Sequence, residues 1–324
     1  SLNKTHYGLE QVKERIVEYL AVRTKNKDSK SPIICLVGPP GVGKSTLAKS
    51  IADALDKKFV QCSLGGVHDE AEIRGHRKTY LGSMPGRIIK GMKNAGVNNT
   101  LFLLDEIDKR GDDAYHGDPA SALLEVLDPE QNSRFMDNYI EEPYDLSKVL
   151  FVATANYADQ IPEPLYDRLE IIDLTSYTDR EKLEIAKRHQ IPKVLKQCGL
   201  KPDEIKFKDD AISYIINRYT KEAGVRQLER LINKIARKYI VRNLHGEINK
   251  QVSDMDAVKK YLDKEIDEYN ITDKTPLPGV VNGMAYTSAG GDLLPIEVTT
   301  FPGKGEITIT GNLKETMKES ASVA

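Results

Sequence analysis

The chain has little cysteine. Cys35, Cys62 and Cys198 are its only three in 324 residues, and no two stand in a C-x-x-C pair. An odd number cannot all be bridged, so a disulfide framework is excluded. Cys35 and Cys62 lie in apolar, strand-like runs. This predicts buried thiols in a reducing compartment, the cytoplasm or, in a eukaryote, the mitochondrial matrix. The six histidines show neither H-x-x-x-H nor H-E-x-x-H spacing, which speaks against a protein-built zinc site. No apolar run approaches the ~18 residues of a membrane span. No basic tract stands out, and the formal charge is −2 with a pI near 6.3, so charge does not support nucleic acid as a dedicated partner. A signal-peptide apolar segment is lacking, as is an initiator Met; the opening Ser1-Leu2-Asn3-Lys4 predicts a fragment of something longer. What is present is ordinary in bulk: 40% hydrophobic and 30% charged residues, a length suited to two domains and part of a third.

One stretch organises the rest. Gly38-Pro39-Pro40-Gly41-Val42-Gly43-Lys44-Ser45-Thr46 fits G-x-x-x-x-G-K-[ST] without a mismatch. The apolar run Ile33–Val37 leads into it and a helical pattern from Leu47 to Leu55 follows, the strand–loop–helix context the motif requires. Glycines let successive N–H groups curl round phosphate oxygens, and the helix N-terminus adds partial positive charge. Lys44 can reach the β/γ-phosphates, and the Ser45 hydroxyl can ligate Mg²⁺. The run Thr100–Leu104 then ends in Asp105-Glu106. Alone, such a pair reads as a strand entering a solvated turn. Beside a phosphate loop, Asp105 suits Mg²⁺ and Glu106 suits the general base that polarises water.

Residues 4–24 predict a helix with Leu9, Val12, Ile16, Val17 and Leu20 inward and Glu10, Lys13, Glu14 and Glu18 outward. Phe59–Ser63, Val149–Ala153 and Glu170–Leu174 read as further strands, and Pro119–Leu127 as a helix that stops at Asp128-Pro129. Apolar strands alternating with helices predict an α/β fold, a parallel sheet covered on both faces, with ligands at the carboxyl ends of its strands. The phosphate loop, Asp105-Glu106 and Asn156 all fall at such ends. Residues 64–90 hold five glycines and the pair Tyr80-Leu81; buried packing and an exposed binding loop fit this composition equally. From 177 to 263 strand signals vanish, and helices are expected at Arg180–Gln190, Asp209–Tyr219, Val225–Leu244 and Asp256–Leu262, a small all-α domain. A linker at 264–278 and a strand-rich segment at 279–324 follow, the latter expected to be the first part of a truncated domain. Its strands are expected at Val280-Val281, Met284–Thr287, Pro295–Thr299 and Gly305–Gly311, with a helix starting near the end.

The order of these motifs, together with Arg168 and Gly224-Val225-Arg226, resembles the AAA+ ATPases. Within that class the chain resembles the Lon ATP-dependent proteases over nearly its whole length. His6-Tyr7-Gly8-Leu9, Gly38–Thr46, Tyr80–Gly86, the sixteen-residue run Gly117–Asn132 and Pro278–Gly283 carry the likeness. The resemblance implies ATP and Mg²⁺ as cofactors and a homo-oligomeric ring, by analogy a hexamer, that pulls unfolded protein toward a proteolytic chamber. It implies Asn156 as a sensor positioning the attacking water, Arg168 as an arginine finger given to the neighbouring subunit, and Arg226 as a second sensor on the helical lid. It implies Tyr7 beside the adenine, Tyr80-Leu81 as the pore-loop grip, and a second pore loop around Tyr115. Read without the family, Asn156 fits a turn cap, Tyr7 a core position, and Arg168 and Arg226 surface ion pairs. Two departures stand out. Thr5 replaces the usual acidic residue before His6. No Gly-Pro-Ser-Ala-Gly-like serine is present either: Ser288 lacks the preceding Gly-Pro and is expected to be a decoy, and Lys304 and Lys314 are not dyad lysines. The chain is therefore expected to hydrolyse ATP without cutting protein. The alternative is an AAA+ motor that remodels nucleic acid or protein complexes without proteolysis.

Overall fold

The structure, a computed structural model, describes residues 2, 6–25, 33–67, 69–109, 119–248, 250–266, 277–287, 290–303, 305, 307–311 and 314–323. Thr5, Tyr115, Gly117, Asp118, Ser288 and Lys304 lie outside the described residues. By its contacts the chain divides into two compact units, residues 1–268 with 288–290, and residues 269–287 with 291–324.

In the first unit, helix α1 spans Glu10–Lys25. The expected start at residue 4 is corrected: Gly8 and Leu9 both take left-handed φ, +66° and +58°, which an α-helix cannot include. The expected faces also shift. Val12, Ile16 and Tyr19 are buried, whereas Val17 is exposed and Lys13 is buried, its Nζ donating to His6 O at 3.1 Å. Val17 stands one residue, about 100° of helix, from Ile16 and so leaves the buried stripe.

A five-stranded sheet forms the centre, ordered β2-β3-β6-β1-β7, with β1 Ile33–Val37, β2 Phe59–Ser63, β3 Leu101–Asp105, β6 Leu150–Ala155 and β7 Leu169–Asp173. Every pairing is parallel. All five residues of β1 and all six of β6 are buried, which explains their unbroken apolar sequence. One face packs with Phe102, Leu104, Ile73, Ile88 and Leu123, the other with Leu36, Leu47, Ile51 and Ile16. The covering helices include α2 Lys44–Ala54, α3 Ala71–Arg74, α4 Arg87–Ala95 and α5 Pro119–Leu127. A short hairpin, β4 Phe135–Met136 with β5 Pro143–Tyr144, and the one-turn helix α6 Glu163–Tyr166 complete the layer.

The helical region packs a core of its own around Ile212, Ile215, Leu228, Ile232, Ile235 and Tyr239. Helix α7 Asp179–Ile185 starts at a capping box in which Thr178 and Glu181 bond each other's backbone N–H. It does not stop at Gln190 as expected. A π-helical turn, Ala186–Gln190, carries it into α8, Ile191–Gln197. Pro192 has no N–H to donate, and the wider turn absorbs the resulting gap. Helices α9 Asp209–Tyr219 and α10 Arg226–Leu244 match expectation to within a residue. One addition corrects the strand-free reading: β8 Ile205–Phe207 pairs in parallel with β9 Gln251–Ser253, just before α11 Met255–Tyr261. Three-residue strands are too short to leave an alternation signal.

The second unit holds a two-stranded sheet, β10 Val280–Thr287 with β11 Gly290–Glu297, and helix α12 Glu315–Val323. The strand expected at Gly305–Gly311 does not form among the residues described there. Ile307 is 72% exposed and none of the residues described between 305 and 311 is buried, so this run lacks the buried face that would fix a strand.

Candidate active site

Strand register sets the site. Val37 pairs with Ala155 and Asp173, and Ser63 with Asp105, so the carboxyl ends of the strands lie along one edge. Gly38 leaves β1 there, its N–H donating to Ala155 O at 3.2 Å. Gly43 takes φ +94° as the N-cap of α2. It supplies no side-chain cap, and no acidic residue stands in the first turn, so the helix's leading N–H groups are left to a ligand. Lys44 is 9% exposed. Its Nζ donates to Gly38 O, to Pro39 O at 3.2 Å and to Asn156 Oδ1 at 2.8 Å. Burial pushes its pKa down, and Asp108, Asp105 and Glu106 oppose that shift.

The two adjacent carboxylates diverge. Asp105 accepts from Gln61 Nε2 at 2.8 Å and from Thr154 Oγ1, and stands 3.4 Å from Ser45 Oγ. Ser45 and Asp105 thus present a compact pair of hard oxygen donors. That set fits Mg²⁺, which keeps waters and substrate oxygens for its remaining positions. Among the described residues no group of three or more His, Cys, Asp or Glu could hold a metal by itself. Glu106 sits at φ +61°, a strained value for a non-glycine residue, fixed by its N–H to Thr154 Oγ1 at 3.1 Å and by Ile107 N–H to Thr154 O at 3.0 Å. Its side chain runs between Lys109 Nζ, at 2.6 Å, and Gly65, where a Cβ would fall 2.4 Å from Glu106 Oε2. Hydrogen bonding to Glu106 pushes the Lys109 pKa up.

The helical region seats directly on the loop. Val225 N–H donates to Gly41 O at 3.2 Å, and Tyr177 OH to Val42 O at 2.7 Å. A Cβ on Gly224 would lie 2.2 Å from the carbonyl carbon of Gly41, so two glycine backbones touch with no side chain between them. This brings Arg226, the first residue of α10, beside Gly41. His6, 7% exposed, lies against Gly43, and burial pushes its pKa down to about 4. Tyr7 is half-buried, with the Arg188 guanidinium 4.7 Å above its ring.

Three predicted residues stand elsewhere. Arg168 precedes β7, and Leu169 pairs with Ile33, so Arg168 is at the amino edge of the sheet. Five residues of strand, about 16 Å, separate that level from Gly38. Arg168 pairs with Asp128 at 2.9 Å. The Glu130 N–H, with Arg168 beside it, holds the Asp128 carboxyl below the usual range. Tyr80 and Leu81 are 65% and 107% exposed on a turned loop between α3 and α4, which excludes buried packing for that pair. Asp137, fully buried, ties the loop's neck: its carboxylate accepts from Gly86 N at 2.8 Å, Tyr139 N at 2.9 Å and Ile140 N at 3.1 Å. His76 N–H closes the neck on Met84 O at 3.0 Å. Gln61, Gly65, His6, Asp108, Lys109, Asp137 and Thr154 escaped the motif reading. Of these, His6 stands in the His-Tyr-Gly stretch, Gln61 in the strand Phe59–Ser63 and Gly65 in the glycine-rich stretch 64–90, but none of those signals marks a role at the site.

Three family models match: AAA, "ATPase family associated with various cellular activities", over residues 34–177; the Lon protease AAA+ ATPase lid domain over 196–252; and the Lon protease (S16) C-terminal proteolytic domain over 252–324. The chain is 67% identical over its full length to a Lon protease of Malacoplasma penetrans, 66% to one of Mycoplasma genitalium and 56% to one of Bacillus thuringiensis. The chain belongs to the Lon protease family. It spans 41% of each of those three relatives. Among solved structures, the RuvB Holliday junction branch migration motor of Thermotoga maritima aligns at TM-score 0.52 and 19% identity, covering 78% of this chain and 68% of that one. That likeness shows the AAA+ fold, a central parallel sheet flanked by helices. The Lon-specific matches do not favour the alternative of a motor without proteolysis. No described helix is long and apolar enough to cross a membrane.

Proposed function

We propose that this chain is the ATP-hydrolysing module of a Lon-like protease, working as a homo-oligomeric ring, a hexamer by family analogy, in a reducing cytoplasm. The observation that carries the reading is convergence. The phosphate loop, Asp105-Glu106 and Asn156 share one sheet edge, with Arg226 delivered beside them by backbone contact. In this reading the loop residues Gly38–Thr46 hold the phosphates of ATP, with Tyr7 near the adenine. Mg²⁺ on Ser45 and Asp105 would neutralise developing phosphate charge. Glu106 takes the proton of the attacking water, Asn156 orients that water, and Arg226 senses the γ-phosphate from the lid formed by 177–263. Lys44 spends its donors on Gly38, Pro39 and Asn156, so gripping a phosphate exchanges at least one of these bonds. Tyr80-Leu81, exposed on a tied loop, grips unfolded polypeptide. The protease dyad is not among these residues, so this chain cuts no peptide bond.

Arg168 lies too far from its own phosphate loop to serve it, which supports a role at a neighbour's site. Its guanidinium is permanently charged and planar, suited to a γ-phosphate, and such fingers are worth about 10³–10⁵ in rate. The test is subunit mixing. Arg168→Ala and Glu106→Gln should each be nearly inactive alone and recover activity when mixed, because an intact Glu106 site can then meet an intact Arg168. A mixture of Lys44→Ala with Glu106→Gln, both damaged at the same site, should not recover. Failure of the first mixture, with mixed assemblies verified by mass, means that Arg168 serves only its Asp128 pair.

A further inference from the structure

Asp108 belongs to none of the motifs, yet it is 6% exposed and carries two hydrogen bonds at the centre of the site. Its Oδ2 accepts the N–H of Asn156 at 2.8 Å and that of Tyr157 at 3.1 Å. These are the first two N–H groups beyond β6, where the chain leaves the sheet and ladder bonding ends. Asp108 itself lies three residues past the end of β3, in the turn that follows Glu106. It therefore joins the segment after β3 to the segment after β6, at Asn156, whose side chain meets Lys44 of the phosphate loop. Among the described residues its buried Oδ1 accepts no hydrogen bond, so there the carboxylate is held by these two N–H groups alone. Carboxylates are rarely buried without close pairing, and Asp108 has no ion pair among the described residues. A core position would take an apolar residue at less cost; what the acid supplies here is one oxygen that serves both N–H groups.

We infer that Asp108 is a positioning residue for hydrolysis: by clamping the Asn156 and Tyr157 N–H groups it fixes the backbone from which the Asn156 side chain reaches Lys44 and the γ-phosphate position. Asn156 Oδ1 is 2.8 Å from Lys44 Nζ, so a rotation of the peptide at Asn156 would move that amide out of line. The inference rests on the proposed ATPase reading and adds a residue that acts through Asn156 rather than on the nucleotide.

The test is a double-mutant cycle on the chain, read as steady-state ATP hydrolysis with nucleotide affinity measured separately. Asp108→Ala removes the acceptor and should lower kcat by about 10²-fold, the cost of a small misplacement, with nucleotide Kd changed by less than about threefold. Asp108→Asn keeps an amide oxygen for both N–H groups and should retain most of the rate. Asn156→Ala should be slow, and Asp108→Ala added to it should cost nothing more, because the two act as one unit. Should Asp108→Ala fail to fold, Asp108→Ser, too short to reach both N–H groups, takes its place. Multiplicative losses in the double variant, or Asp108→Asn as slow as Asp108→Ala, would overturn the inference while leaving the ATPase reading intact. An unimpaired Asn156→Ala would instead remove the role of Asn156, and the inference with it.

Discussion

His6 offers a sharp measurement because its burial against the phosphate loop has a calculable pH signature. Its surroundings are Gly43, Lys13 on α1 and His189 in the π-helical turn, and burial is the main cause of its low pKa, about 4 against 6.5 for a free histidine. The unfolded chain therefore takes up a proton between those values that the folded chain excludes. Stability is complete above about pH 6.5, falls as the pH drops, and levels off below about 4. Each pH unit in that window costs about 1.4 kcal/mol, so about 2 kcal/mol is lost by pH 5. His189 is also shifted down by burial, so the comparison must be differential. Urea unfolding of the parent and of His6→Asn is followed by far-ultraviolet circular dichroism at pH 8 and pH 5. The asparagine cannot titrate, so its loss between the two pH values should be smaller by about 2 kcal/mol. The His6 ring resonance, assigned by its disappearance in the variant, should still report neutral imidazole at pH 5. Equal losses in both proteins, or an imidazolium at pH 5, would refute the assignment of His6 to a dry contact with the loop.

Further outcomes are expected. Glu106→Gln should retain ATP in equilibrium dialysis and hydrolyse it about 10²–10⁴ more slowly, the usual worth of a general base, whereas Lys44→Ala should fail to retain nucleotide. Gly224→Ala should destabilise by about 1–3 kcal/mol in thermal unfolding, since neither backbone can yield cheaply; Gly291→Ala, which meets nothing within 4 Å, should change it little. Tyr80→Ala should leave stability within about 0.5 kcal/mol and basal ATP hydrolysis unchanged, yet abolish any stimulation by a denatured polypeptide. Neither the parent nor Ser288→Ala should cleave a fluorescent casein, and the substitution should leave ATP hydrolysis unchanged.

The residues that were legible in the sequence are those whose signal is local. Gly38–Thr46 is contiguous, and the buried strands β1, β3 and β6 announce themselves as unbroken apolar runs. Asp105 and Glu106 follow from standing at the end of one. Residues that act through the fold left no such trace. Asp137 ties the neck of a loop more than 50 residues away in sequence, and Thr154 reads as an ordinary strand residue until β3 and β6 align it with Asp105 and Glu106. Lys13 looked like a solvated position because a charge on a helix usually is one; His6 O gives its Nζ a buried partner. The start of α1 was misjudged because Leu9 has no local reason to be left-handed. The π-helical turn was missed because Pro192 reads as a stop when taken residue by residue.

The tied neck beneath Tyr80 and Leu81 has a mechanical meaning. A loop anchored only at its ends would stretch when its tip is pulled, and the motion of its base would be lost in slack. Here the two sides of the neck are joined at His76–Met84, and Asp137 holds Gly86 to the segment that carries Tyr139 and Ile140. Lys78 adds a tether to Glu141 at 3.4 Å. Tension applied at the tip would thus be shared by α3, α4 and the 137–141 segment, and these bonds would limit the slack between those elements and the tip. If Tyr80 and Leu81 grip polypeptide as proposed, the two side chains would ride on a stiff crank instead of a flexible tether, with the stroke length set by the sheet-bound helices that turn it.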